Sequence, residues 1–313
     1  MKRTTDISLA ANQLNAGKLV AFATETVYGL GAEARNDAAV AAIYQAKERP
    51  QFNPLIVHVA SFEAAQKLIA FNDVAKQLAN AFWPGPLTLV LPRLPDCPVS
   101  LLASAGLDSL AIRVPAHAQA QKLLEQFGGP VVAPSANPSG AISPTSAQHV
   151  IDGLAGKIDM VLDGGDCPVG VESTIISCLG DEPMLLRHGG LARRQIEDVL
   201  GMQISHGKSD SAKPTAPGQL QSHYAPRAKL VLNVVRPAKK DAFLEFGPCD
   251  TTFDLNLSPT GDLAEAAANL FKMLHQLDGQ GVEKIAVAPI PHHSLGEAIN
   301  DRLCRAATPR ETS

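Results

Sequence analysis

From Asp6 to about Gln203 the chain alternates short apolar runs with Ala-rich stretches of helical period, and this alternation restricts it to an α/β fold. Runs of strand length lie at 18–24, 55–60, 87–91, 109–114, 131–133, 160–163, 174–178 and 184–187. Helical patterns cover 7–16, 37–47, 62–70, 74–82, 116–127, 146–154 and 192–200. The helix at 146–154 follows Pro144-Thr145-Ser146, a proline and two hydroxyls suited to a helix start. The alternation is not strict, because 87–114 reads as strand, loop, strand. A twisted, mixed, open sheet is therefore predicted, not a purely parallel one.

Residues 204–226 lack periodicity and are rich in Ser, Pro and Gly, the composition of an interdomain linker. Beyond it, 229–234 and 284–288 read as strands and 263–277 and 295–307 as helices. The first of these helices carries an apolar stripe at Leu263, Ala267, Leu270 and Leu274. The chain thus divides into a catalytic-sized domain at 1–203, a linker at 204–226 and a small α/β domain at 227–313. Aromatic residues make up only 4%, so packing falls to Ala, Leu, Val and Ile. No apolar run approaches the roughly 18 residues of a membrane span. Met1–Asp6 runs straight into an amphipathic pattern without a signal-peptide core, so a cytoplasmic protein is expected. Five cysteines without a C-x-x-C fit reduced thiols. A net charge of −4 and a pI near 6.1 argue against coating nucleic acid by charge, while leaving room for one local cationic pocket.

Generic motifs explain little. Gly29-Leu-Gly31-Ala-Glu-Ala34 matches G-x-G-x-x-A, but five residues separate the preceding strand from the glycines. No acidic strand end follows about 20 residues later, which argues against dinucleotide binding. The chain has no Walker-type phosphate loop, no H-E-x-x-H and no G-x-S-x-G. His292-His293 lack ligand-spaced companions and read as loop histidines.

More informative is where cations and hydroxyls fall relative to strand ends. Lys47 and Arg49 close a helix that Pro50 stops; alone they would read as solvated cations favoured by the helix dipole. Val131-Val-Ala-Pro-Ser-Ala-Asn-Pro-Ser-Gly140 leaves a strand and presents Ser135 and Asn137 at its carboxyl end, where open α/β sheets bind ligands. Arg113 lies within the apolar strand at 109–114 and is costly to bury without an anion. Val171-Glu-Ser-Thr-Ile-Ile176 opens with hydroxyls, and Arg187 ends another strand. Together with Thr26 and Ser173, these residues are what a polyphosphate needs: cations to offset charge, hydroxyls and amides to fix oxygens. The residues themselves stop at an anion or nucleotide pocket without a P-loop.

The same segments carry a resemblance. Thr24-Glu-Thr-Val-Tyr-Gly-Leu-Gly31, Lys47-Glu-Arg49 followed by Asn53-Pro-Leu-Ile-Val-His58, Trp83-Pro-Gly-Pro-Leu-Thr88, Ala111-Ile-Arg-Val-Pro115, Ala133-Pro-Ser-Ala-Asn-Pro-Ser-Gly140 and Glu172-Ser-Thr-Ile175 resemble the YrdC/Sua5 family over roughly residues 7–200. Pro217-Gly-Gln-Leu-Gln-Ser-His-Tyr-Ala-Pro226 and the small domain resemble the extension that separates Sua5 proteins from single-domain YrdC. The resemblance implies a YrdC-like twisted sheet with a large cationic cavity plus a small C-terminal α/β domain. The activity it implies is L-threonylcarbamoyladenylate synthesis from L-threonine, bicarbonate and ATP with Mg²⁺. The product would pass to a threonylcarbamoyl transferase complex acting on position 37 of tRNA.

By the family pattern, Lys47, Arg49, Ser135 and Asn137 form the catalytic tetrad. Thr26, His58, Arg113 and Ser173 would hold threonine, with Arg113 on its carboxylate. Arg49, Asn53, Ser109, Ala133, Ser135 and Arg187 would face the nucleotide, and Tyr224 would cover it. A monomer with no membrane contact is implied, with at most weak RNA contact. Two departures stand out. Ala23 replaces the usual proline, removing a rigid strand end, and His188 replaces another, loosening the aim of Arg187. Without the family, His58 reads as a satisfied core histidine. The competing reading of the whole chain is a cationic RNA-binding module in tRNA or ribosome maturation that does no chemistry.

Overall fold

The computed structural model describes residues 1–50, 52–207, 223–238, 241–248 and 255–308. Eleven strands form one mixed sheet in the order Lys2–Thr4, Met160–Leu162, Val20–Phe22, Gly29–Glu33, Val131–Val132, Ile56–His58, Ser109–Arg113, Leu87–Pro92, Thr174–Ser177, Met184–Arg187, Ser205–His206. Neighbours pair both ways: Ile56–His58 is parallel to Ser109–Arg113, and Leu87–Pro92 is antiparallel to it. The apolar periodicity located every interior strand of this sheet except Gly29–Glu33. It missed Lys2–Thr4 and Ser205–His206, two- and three-residue edge strands with mostly exposed side chains and no alternation to read.

Gly29–Glu33 was also missed as a strand, because its glycines resemble a turn. It pairs antiparallel with Val20–Phe22. A Cβ on Gly31 would lie 2.8 Å from the Phe22 ring and 3.0 Å from the Val20 carbonyl. These glycines therefore serve close strand packing and form no dinucleotide loop.

Helices cover the sheet and are capped by the residues that precede them. Asn36 Oδ1 accepts from the amides of Ala38 and Ala39 to start Asp37–Lys47, and Ser146 Oγ accepts from His149 N to start Ala147–Leu154. The small domain is a four-stranded parallel sheet, ordered Lys229–Val231, Lys284–Val287, Ala242–Glu245, Leu255–Asn256, flanked by Leu263–Gly279 and Leu295–Ala307.

The apolar core of the small domain extends into the large sheet's loops, beside the large domain's own core. Val27, Ile142 and Val171 of the large sheet's loops pack into the cluster built from Leu270, Phe271 and Leu274 of the small domain. Polar contacts reinforce this seam: Lys272 to Asp166 at 2.9 Å, His275 Nε2 to the Ser143 carbonyl at 3.2 Å, and Arg302 to Glu172 at 2.7 Å. Among the described residues no helix is long and apolar enough to cross a membrane. Most of the linker, residues 208–222, lies outside the described residues.

Candidate active site

The chain reverses sharply after Asp37–Lys47. Glu48 takes a left-handed conformation (φ 53°, ψ 43°), and the Arg49 amide bonds back to the Tyr44 carbonyl. Lys47 lies on the buried face of the helix with Val40 and Ile43, and the turn brings Arg49 inward as well. Lys47 is 1% exposed and Arg49 8%, so neither is a solvated helix-end charge. Lys47 Nζ donates to the carbonyls of Ser135 and Asn137, while Arg49 donates to the carbonyls of Asn53 (3.2 Å) and Pro54 (2.9 Å).

Arg113, at the end of Ser109–Arg113, is held on three sides. Nε donates to the Gly85 carbonyl at 3.1 Å, Nη1 to Thr26 Oγ1 at 2.9 Å and Nη2 to Glu25 Oε1 at 2.5 Å. Thr24 Oγ1 donates to the Val27 carbonyl at 2.7 Å and accepts from the amides of Thr26 and Val27, fixing the segment without the proline expected at position 23. Arg187 donates to the Ser173 carbonyl and to Ser173 Oγ, both at 3.0 Å, and Ser173 Oγ also bonds Thr88 Oγ1 at 2.7 Å. Gly189 lets this strand end lie flat on its neighbour, since a Cβ there would sit 2.3 Å from the Glu172 carbonyl. His188 is tied to Glu297 of the small domain at 3.3 Å. Arg187 is thus firmly aimed, and the expected loosening is absent.

One cavity gathers these groups. Thr26, Arg49, His58, Arg113, Ala133, Ser135, Ser173, Arg187 and Tyr224 all line it. Lys47 and Asn137 lie directly behind Ser135 through the Lys47 contacts. Asn53 is fully buried beside Arg49. Ser109 is set apart: it opens the strand that Arg113 closes, four residues or about 13 Å away along the backbone, and it does not line the cavity.

The space left inside is about 50 Å³, far below the several hundred Å³ of a usual ligand site. His223 and Tyr224 are among the side chains that wall it. Tyr224 is 1% exposed, takes a left-handed conformation (φ 64°), and rests on Phe271 with ring centres 5.6 Å apart.

Charge in the cavity is badly balanced. Burial, then Arg49, pushes the Lys47 ammonium well below its ordinary range. Burial likewise lowers Arg49 and Arg187 to about 10. Burial and Arg113 hold His58 near 3, and burial holds His223 near 3, so both rings are neutral at physiological pH. Glu172, its carboxyl lowered by Arg302 and Arg187 against the effect of burial, is the carboxylate on the wall. Both its oxygens are engaged, one by Ser143 at 2.5 Å and one by Arg302.

Several polar atoms are buried without a hydrogen-bond partner among the described residues: Glu25 Oε2, both side-chain amide atoms of Asn53, His58 Nδ1 and His223 Nδ1. His58 is therefore not a satisfied core histidine. Unpaired polar atoms around a cationic hollow describe a site shaped for a polyanion carrying further polar groups. The sequence reading passed over Glu25, Glu172 and His223 as site members although their motifs were in view. Arg302, 130 residues from its partner Glu172, left no signal at all.

Comparison with known proteins agrees with this geometry. Residues 12–189 match the Sua5/YciO/YrdC family model, described as telomere recombination, and residues 191–308 match the threonylcarbamoyl-AMP synthase C-terminal domain. The threonylcarbamoyl-AMP synthase of Pyrococcus abyssi is 43% identical over 96% of this chain and 94% of its own length. That of Bacillus subtilis is 40% identical over 96% and 92%. The crystal structure of P. abyssi Sua5 complexed with L-threonine superposes with a TM-score of 0.88 at 41% identity, covering 98% of this chain and 96% of that one. The two matched segments contain every residue that lines the hollow, from Thr24 to Arg187 in the first and His223 and Tyr224 in the second. On that footing the chain belongs to the Sua5-type threonylcarbamoyl-AMP synthases, the nucleotidyltransferases that serve threonylcarbamoyladenosine modification of tRNA.

Proposed function

We propose that this chain condenses L-threonine, bicarbonate and ATP in the cationic cavity, with the roles expected from the sequence. The observation that carries the reading is convergence: Arg49 from a helix end, and Arg113 and Arg187 from two separate strands, line one hollow, with Lys47 just behind its Ser135 wall. Arg113, already holding Thr26, takes the threonine carboxylate. His58 and Ser173 border the same end. Lys47, Arg49, Ser135, Asn137 and Arg187 hold the nucleotide, with Asn53 and Ala133 beside them.

The neutral threonine nitrogen attacks the carbon of carbon dioxide derived from bicarbonate, forming the N–C bond and releasing a proton. A carbamate oxygen then attacks the α-phosphorus, and the bond to the bridging oxygen of pyrophosphate breaks. No covalent enzyme intermediate is needed. The contribution of the protein is positioning and stabilisation of charge on the leaving group.

A resident Mg²⁺ finds no cradle here. No group of three or more His, Cys, Asp or Glu among the described residues could share a metal, and both oxygens of Glu172 are engaged. The ion belongs to the substrate, held by phosphate oxygens and water as Mg²⁺ commonly is. Tyr224, with His223, must shift for substrates to enter and then covers them. The proposed setting is the cytoplasm, with a monomer passing its product to a threonylcarbamoyl transferase acting on tRNA.

Pyrophosphate release from ATP tests the reading. Release that requires both threonine and bicarbonate is the expected result; retention of RNA with no release selects the non-catalytic module.

A further inference from the structure

One fully buried side chain of the small domain reaches two residues of the cavity wall. Arg302, on Leu295–Ala307, is 1% exposed. Its Nε donates to Glu172 Oε2 at 2.7 Å, its Nη1 to Asp301 Oδ2 at 2.6 Å, and its guanidinium carbon lies 5.2 Å from the centre of the Tyr224 ring. Glu172 and Tyr224 are both walls of the cavity. Arg302 Nη2 is buried and has no hydrogen-bond partner among the described residues.

A buried guanidinium normally satisfies its donors, because an unpaired charged donor inside a protein is expensive. Here Nε and Nη1 are fixed by carboxylates and Nη2 is left over, just behind Glu172 and Tyr224 of a hollow lined by Arg49, Arg113 and Arg187. The carboxylate partners also explain how Arg302 stays charged at such depth, since Tyr224, Glu172 and Asp301 all favour its cationic form. A planar fork held on two sides with one side open is the arrangement that receives a phosphate oxygen.

We propose that Arg302 is a phosphate contact of the nucleotide site, supplied by the small domain, and that Glu172 is the carboxylate that aims it. The inference rests on the nucleotide reading of the cavity. It assigns the small domain a direct part in substrate binding, beyond covering the site.

The test uses the full chain with Arg302→Lys and Arg302→Met, and tripolyphosphate as the probe. Lysine can keep the bond to Glu172 but has no second edge to offer. Tripolyphosphate affinity, and the KM for ATP with it, should weaken at least about tenfold in Arg302→Lys, the loss of one charge-assisted hydrogen bond. The dissociation constant for threonine alone should stay within about twofold, whereas general loosening of the domain seam would move both ligands. A folded Arg302→Lys protein that binds tripolyphosphate like the wild type overturns the proposal, whatever happens to Arg302→Met. Wild-type protein that binds neither ATP nor tripolyphosphate would instead overturn the nucleotide reading itself.

Discussion

Lys47→Ala and Arg49→Ala should each lower the rate of pyrophosphate release by about 10²–10³-fold, the range seen when one preorganised charge-stabilising group is removed from a closed site. Both side chains are buried, and neither has a carboxylate bonded to it among the described residues. Each is held instead by main-chain carbonyls, which fix position without cancelling charge. The full charge is therefore available to the developing pyrophosphate, undiluted by water. Folding should be nearly unaffected. Truncation forfeits a few carbonyl contacts but also relieves the burial of an unpaired cation, which is itself unfavourable. Thermal unfolding and stopped pyrophosphate assays on the same preparations separate the two effects. Near-normal turnover in either variant would show that the assigned tetrad is not catalytic.

Arg113→Ala should damage both folding and function. The Arg113–Glu25 pair is almost wholly buried, with side-chain exposures of 4% and 9%. Removing the arginine strands Glu25 as a lone interior charge, a loss of about 3–5 kcal/mol for a broken buried pair. It also removes the group assigned to the threonine carboxylate, so the KM for threonine should rise about 10–100-fold, in line with one charge-assisted bond. The double variant Arg113→Met with Glu25→Gln separates these losses. Most of the stability should return while threonine binding stays lost. If the double variant recovered threonine affinity, the carboxylate would be held elsewhere.

The readable parts of the chain were those governed by local rules. Interior strands and capped helices appeared where apolar periodicity and cap residues agree, as in Asp37–Lys47, whose bounds match the sequence reading. Strand Gly29–Glu33 was hidden because glycine's role there is close packing against Phe22, a tertiary requirement with no local pattern. In the small domain Leu255–Asn256 was too short to announce itself, and Ala242–Glu245 went unread although it is as long as Lys284–Val287. Lys47 and Arg49 illustrate the limit for the site. Their local sequence is that of ordinary solvated helix-end charges; Lys47 is indoors because its helix face packs inward, and Arg49 because of the left-handed turn at Glu48. Motif resemblance supplied what periodicity could not. Neither could reveal Arg302, because a contact between residues 172 and 302 exists only once the two sheets have met.

The crowd of like charges around the hollow also bears on how this protein tolerates change. A substitution that neutralises Lys47 or Arg49 removes an interior cation with no carboxylate bonded to it among the described residues, which offsets the carbonyl contacts given up, so the melting temperature should hold or rise slightly. A selection for heat resistance alone would be drawn to these positions and would collect robust, inert proteins. Engineering for durability has to work elsewhere, on the rims and helix surfaces far from the place where the nucleotide is received.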